Sequence, residues 1–185
     1  MFSQWPSGFD DQEVPVVQGE LDPGATVGVS SGRFAVDFAT MAALDPTQPF
    51  PHGVMHVEYA FGADTDSVQV DLLDVDGTGA DATYSFEDSA EEGGQLQLRL
   101  QADLVDVRAG GEREETVLST RWTAAGAGRA DIVVSGGDLG SLQTVVSECW
   151  DASLAAVWTD DGSGVVIGDE AACAFAALEP DATEG

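Results

Sequence analysis

Cys149 and Cys173 are the only sulfhydryls of the chain, and both lie in ECWDASLAAVWTDDGSGVVIGDEAACAF, residues 148 to 175. Two thiols can pair, bind metal, or supply a nucleophile. Structural zinc wants four protein ligands, and the only histidines, His52 and His56, are far away in sequence. A reactive thiol needs a positive neighbour to form thiolate, whereas Cys149 follows Glu148 and precedes Trp150 and Asp151. The expected state is a disulfide, with inert buried thiols as the alternative. In the chain-entropy account such a bond restricts the unfolded chain by about 3.5 kcal/mol.

Two further groups carry metal-ligating residue types. His52 and His56 stand four apart in HGVMH. On a helix both imidazoles would share a face, but His56 sits in a strand pattern, where that spacing spans about 13 Å. They read as surface histidines. In DVDGTGADATYSFED, Asp74, Asp76, Thr78 and Gly79 match the first half of a calcium loop, in which oxygens at alternating positions wrap a hard cation. The twelfth position, where a bidentate glutamate belongs, is Ser85. An Asp-Gly hairpin turn accounts for most of this stretch, leaving weak divalent-cation binding by Asp74, Asp76 and Asp81 as the sharper reading. No other cofactor is implied. There is no G-x-S-x-G, no phosphate-binding glycine loop and no histidine in a triad context. Carboxylate pairs of the kind glycosidases use are too numerous among 34 acids to single one out.

The elements that would position these residues are written in period two, the mark of half-buried antiparallel strands. GRFAVDF, VMHVEYAF, DSVQVDLLDV, DATYSFED, QLQLRLQ, ETVLSTRW, GRADIVVSGG and LQTVVSECW alternate apolar and polar residues. Glycine- and aspartate-rich turns separate them; SSGR at 30 to 33 and SGGDLGS at 135 to 141 also read as turns. Connections this short suit hairpins, since parallel strands need long crossovers. The fold class expected is mainly β: a curved antiparallel meander sheet or half-open barrel with one or two short helices. TMAALDPTQPFP predicts one helical turn, ending at Pro46. DASLAAVW places Trp150, Leu154, Val157 and Trp158 at helical spacing and predicts another.

Residues 1 to 24, with Pro6, Pro15 and Pro23, read as a flexible acidic leader. Residues 25 to 176 read as a single antiparallel β domain, and 177 to 185 as a disordered tail. The leader shows no basic segment followed by an apolar one, as a signal peptide would. Two expectations stand: a cytoplasmic protein, or an exported one whose signal is not in this sequence.

Charge narrows the partners. The 185 residues carry 34 Asp and Glu against six arginines and no lysine, a formal charge of −28. Such a surface repels phosphate backbones and anionic headgroups, so neither nucleic acid nor an anionic membrane surface is an expected partner. No apolar run approaches the roughly 20 residues that span a bilayer. Acidity of this degree suits a salt-adapted protein, because salt screens self-repulsion.

The segments GRFAVDF and LDPTQP, then TRWTAAGAGRAD, SECWDAS and GDEAACAF, resemble uncharacterised bacterial envelope proteins of lipoprotein type over most of residues 30 to 175. The resemblance implies export, a secreted or lipid-anchored form, and pairing of Cys149 with Cys173. It implies no activity. Together these readings predict a non-enzymatic extracytoplasmic protein of binding or structural type, in the periplasm, anchored at the outer membrane, or secreted. Its partner would be an envelope protein, or a lipid or other apolar ligand held on a concave face lined by Phe34, Tyr59, Leu98, Trp122, Trp150 and Trp158. The alternatives are a carboxylate-dependent hydrolase and an acidic cytoplasmic protein with reduced cysteines.

Overall fold

Apolar-polar alternation becomes strand wherever turn residues bound it. The structure, a computed structural model, describes residues 2–4, 14–26, 28–49, 51–74, 77, 79–104 and 111–178. In chain order its strands are β1 (Phe2–Gln4), β2 (Val14–Asp22), β3 (Ser30–Asp37), β4 (Val54–Phe61), β5 (Thr65–Leu73) and β6 (Ala82–Ser89). Then come β7 (Gly93–Ala102), β8 (Glu114–Thr123), β9 (Gly128–Gly136), β10 (Gln143–Trp150), β11 (Ala156–Asp160) and β12 (Val166–Gly168). One helix, α1 (Phe38–Leu44), follows β3, and 3-10 turns cover Gly137–Leu139 and Glu170–Ala172.

The chain divides into two compact units, Met1–Phe86 and Glu87–Gly185, with the boundary inside β6. A single domain over 25 to 176 was the expectation. Within each unit the strand order follows the chain, antiparallel and linear rather than closed. Hairpins bring each strand back beside its predecessor at little loop cost, which is the physical basis of a meander.

In the first unit the expected leader is partly strand. Val17, Gly19 and Leu21 of β2 stand opposite Val36, Phe34 and Gly32 of β3. Val16 is buried. Pro15 lies ahead of Val17, the first residue in register with β3, and at a register shift against β1. Its missing N–H therefore interrupts neither ladder. The SSGR segment, read as a turn, opens β3 instead. Residues 5–13, and 179–185 of the expected tail, lie outside the described residues.

Helix α1 begins at Phe38, ahead of the predicted segment, because Asp37 caps it. Its carboxylate accepts the Thr40 N–H and the Thr40 hydroxyl, both at 2.8 Å, satisfying donors that a helix start leaves open. The chain leaves the helix at Asp45, just before Pro46.

The second unit holds the clearest departure. DASLAAVW is not a helix: residues 151 to 155 form a tight turn and Ala156–Asp160 returns as β11 beside β10. The Asp151 carboxylate accepts the Ser153 N–H at 2.8 Å, the Ser153 hydroxyl at 2.6 Å and the Ala155 N–H at 3.1 Å. Leu154 takes φ of 63°, which stops helix propagation. A helix of two turns has little intrinsic stability in water, so an aspartate that closes a hairpin prevails. The next hairpin repeats the device, with Asp161 accepting the Ser163 N–H at 2.8 Å and the Ser163 hydroxyl at 2.7 Å.

Candidate functional site

Register sorts the second unit's side chains into two faces. On one face, Arg121, Arg129, Cys149 and Trp158 form a row across β8 to β11. The neighbouring row holds Ser119, Asp131, Ser147 and Asp160. Burial here is deep: Cys149 is 0% exposed, Arg129 1% and Asp131 3%. The segment from Glu170 to Ala176 straps over these rows. Cys149 and Cys173 form a disulfide with 5.5 Å between their Cα atoms.

The strap engages both arginines. Arg129 donates from Nε to Asp131 at 2.8 Å and from Nη1 to Glu170 at 3.0 Å. Its guanidinium lies 4.9 Å from the Trp158 ring, a cation–π arrangement that favours burial of the charge. Arg121 donates from Nη2 to the Ala176 carbonyl at 2.6 Å and sits 5.2 Å from the Phe175 ring. The Ser147 hydroxyl donates to Asp131 at 2.7 Å. A serine bound to a carboxylate without an intervening base is not a nucleophile set. Both described histidines belong to the other unit. The cluster has the chemistry of a fastening.

The opposite face carries the apolar residues. Leu96, Leu98 and Leu100 of β7 stand beside Leu118 and Trp122 of β8, Ile132 and Val134 of β9, and Val146 and Trp150 of β10. None of these nine is buried, and Ile132 is 38% exposed. At one end, Glu114 is fully buried and accepts the N–H groups of Leu104 at 2.8 Å and Asp138 at 2.9 Å.

Two indoles lie across this face in one row. Trp122 stands between Gly94 and Gly128, and Gly128 between Trp122 and Trp150. The Trp122 ring covers Gly94 and the Trp150 ring covers Gly128, filling the space a Cβ would take. Both indole N–H groups are satisfied, Trp122 by Asp88 at 2.9 Å and Trp150 by the Gly126 carbonyl at 2.8 Å. The rings are held by backbone approach and hydrogen bonding.

Of the six residues predicted to line one apolar face, the structure therefore brings Leu98, Trp122 and Trp150 together. Trp158 is a correction. Helical spacing would have put it beside Trp150, but β11 pairs it with Cys149, on the clasp face, where it is buried. Phe34 and Tyr59 belong to the first unit, on the face that also carries Val36, Val57 and Val70. Tyr59 leans over Gly32 and lies 5.2 Å from Phe61. It lines a concavity of about 590 Å³ with Leu21, Val29 and Phe61. The polar face of the same unit has a hollow of about 490 Å³ bordered by Gln18, Glu20, Arg33, His56, Glu58 and Asp71. All but Asp71 of these are exposed.

Asp74 and Asp81 use their carboxylates within the turn. Asp81 accepts the Asp74 N–H at 2.9 Å, and Asp74 accepts the Gly79 N–H. Asp76 lies outside the described residues. Among the described residues no three His, Cys, Asp or Glu side chains gather as metal ligands. His52 packs against Gly77, while His56 projects from β4.

Comparisons with known protein families, curated proteins and solved structures find no match for this chain. Among the described residues no helix is long and apolar enough to cross a membrane.

The glycines inside strands were the signal overlooked in the sequence. Gly32, Gly94 and Gly128 interrupt otherwise regular strand patterns, and a strand glycine marks a place where another group comes close to the backbone. Each has an aromatic partner across the ladder.

Proposed function

We propose that the protein is a non-enzymatic, extracytoplasmic binding protein of the bacterial cell envelope, and that it holds an apolar ligand on the half-buried apolar face of β7 to β10. The observation that carries this reading is the contrast between the unit's two faces. The polar face is closed by the C-terminal strap over the buried Arg129, Asp131, Ser147, Cys149 and Trp158, while nine large apolar side chains on the other remain in contact with solvent. Contiguous apolar surface of this kind on a soluble chain marks an interaction site. The disulfide supports an oxidising compartment, where such bonds persist.

The experiment is native mass spectrometry of gently purified protein with lipid analysis of the extract. A stoichiometric apolar molecule is expected, lost when Leu98→Asp and Leu118→Asp are combined. Repeated recovery of empty protein from its own host would overturn the binding reading. Thiol labelling of the unfolded protein, taken directly from that host, tests the compartment: no free thiol is expected, and two reactive thiols would place the chain in a reducing compartment.

A further inference from the structure

The charges on the apolar face specify what the polar end of its ligand can be. Following the register across β7 to β10, the face carries two ionisable side chains, Glu114 and Glu148, and the Asp88 carboxylate of β6 reaches its edge at the Trp122 indole N–H. Glu114 is fully buried and occupied by backbone N–H groups. Glu148 is exposed and projects between Val146 and Trp150, in the same row as Ala130, Thr120 and Leu96. Among the described residues no basic side chain stands on this face. Arg99, Arg121 and Arg129 all point to the opposite one, each tied to an acid or to the strap.

An anionic headgroup laid here would lose water without gaining a cation, and an unpaired buried charge is among the costliest groups to desolvate. It would also meet Glu148, about two strand spacings or roughly 10 Å from the centre of the face, within reach of the unscreened field at low salt. We infer that this face takes long-chain ligands whose polar end carries no negative charge, such as a fatty alcohol, a neutral glyceride or an isoprenoid, and discriminates against fatty acids and anionic phospholipids. The inference rests on the apolar-face reading above. A second copy of the chain is a poor occupant, because two bodies of formal charge −28 each would have to meet.

Equilibrium dialysis with a matched pair tests it: labelled 1-decanol and decanoate, below their aggregation thresholds, at pH 8 and about 20 mM salt. Decanol is expected to bind at least tenfold more tightly than decanoate. The ratio should narrow in 1 M salt, where the Debye length falls to about 3 Å. Glu148→Arg should move it further, toward parity or reversal, by placing a cation on the face. Equal or tighter binding of decanoate by the unmodified protein would overturn the inference while leaving the apolar-face reading in place. Binding of neither probe would remove both. Sedimentation of the same samples closes the remaining route: a dimer that dissociates on Leu118→Asp would make the face a self-interface, and would also overturn the proposal.

Discussion

Arg129 joins β9 to a carboxylate 41 residues further along, its Nη1 donating to Glu170 at 3.0 Å while its Nε donates to Asp131 at 2.8 Å. One guanidinium thus couples the sheet to the strap that covers it. The pair with Asp131 is buried on both sides, with side-chain exposures of 2% and 4%, whereas Glu170 is 55% exposed. The two ion pairs therefore differ in worth. The outer one is screened by solvent, and the inner one is costly to break because it would leave the buried Asp131 carboxylate with only the Ser147 hydroxyl at 2.7 Å and the more distant Arg121 guanidinium at 3.7 Å.

Arg129→Met is accordingly expected to destabilise the protein by about 3 to 5 kcal/mol, measured by urea unfolding. Arg129→Met combined with Asp131→Leu should recover much of that loss, because replacing both members removes the stranded carboxylate. Glu170→Gln should cost under about 1 kcal/mol. A double variant no more stable than Arg129→Met alone would mean that Asp131 is not the source of the penalty.

The disulfide acts on the same strap from the other end. Cys149→Ser with Cys173→Ser should lower stability by about 3.5 kcal/mol, the loop-closure entropy of a crosslink 24 residues apart. Hydrogen exchange should rise first in 170–176, where the strap's remaining holds are the Arg129 and Arg121 contacts. Unchanged protection there would show that the ionic contacts hold the strap without the bond.

A different stress falls on the aromatic row. At Gly94 and Gly128 an added Cβ would meet the Trp122 and Trp150 rings respectively. Gly128→Ala should cost about 1 to 3 kcal/mol by overpacking. It should also lift the Trp150 indole from the sheet and alter near-ultraviolet circular dichroism. Neither Gly94 nor Gly128 has positive φ, so the cost of alanine at either is steric and not a backbone strain.

Strand positions were legible in the sequence because a period of two survives wherever one face is apolar, as in Leu96, Leu98 and Leu100. The disulfide was legible from the scarcity of thiols. The helix assigned to DASLAAVW failed because Trp150, Leu154, Val157 and Trp158 satisfy helical spacing, yet the chain turns at 151 to 155 and pairs Trp158 with Cys149. The deciding groups, the Asp151 carboxylate and the Ser153 hydroxyl, are a local polar interaction that hydrophobic periodicity does not register. The buried arginine cluster was hidden for another reason. Arg129 and Asp131 sit on the polar side of an alternating strand, and only the strap, brought back from 40 residues away, turns that side inward. Which face is covered is a tertiary fact, and alternation alone reads the same either way.

Asp37 offers a test through pH. The Thr40 backbone N–H, then its hydroxyl, hold the Asp37 carboxyl below the usual carboxylate range, with a smaller contribution from the Ala39 N–H. A carboxylate whose pKa is lowered in the folded state contributes stability above its unfolded value near pH 4, and that contribution fades as pH falls through the lower folded value. Asp37→Ala should therefore cost about 1 kcal/mol at pH 7 as a lost helix cap. The gap to the parent protein should stay constant down to about pH 5 and shrink below pH 4. Asp37→Asn, which can still cap, should lose less at neutral pH and show a weaker pH dependence. Thermal melts of the three proteins from pH 7 to pH 3 decide the matter. A gap that widens on acidification would mean that Asp37 is stabilised by something other than its ionised cap.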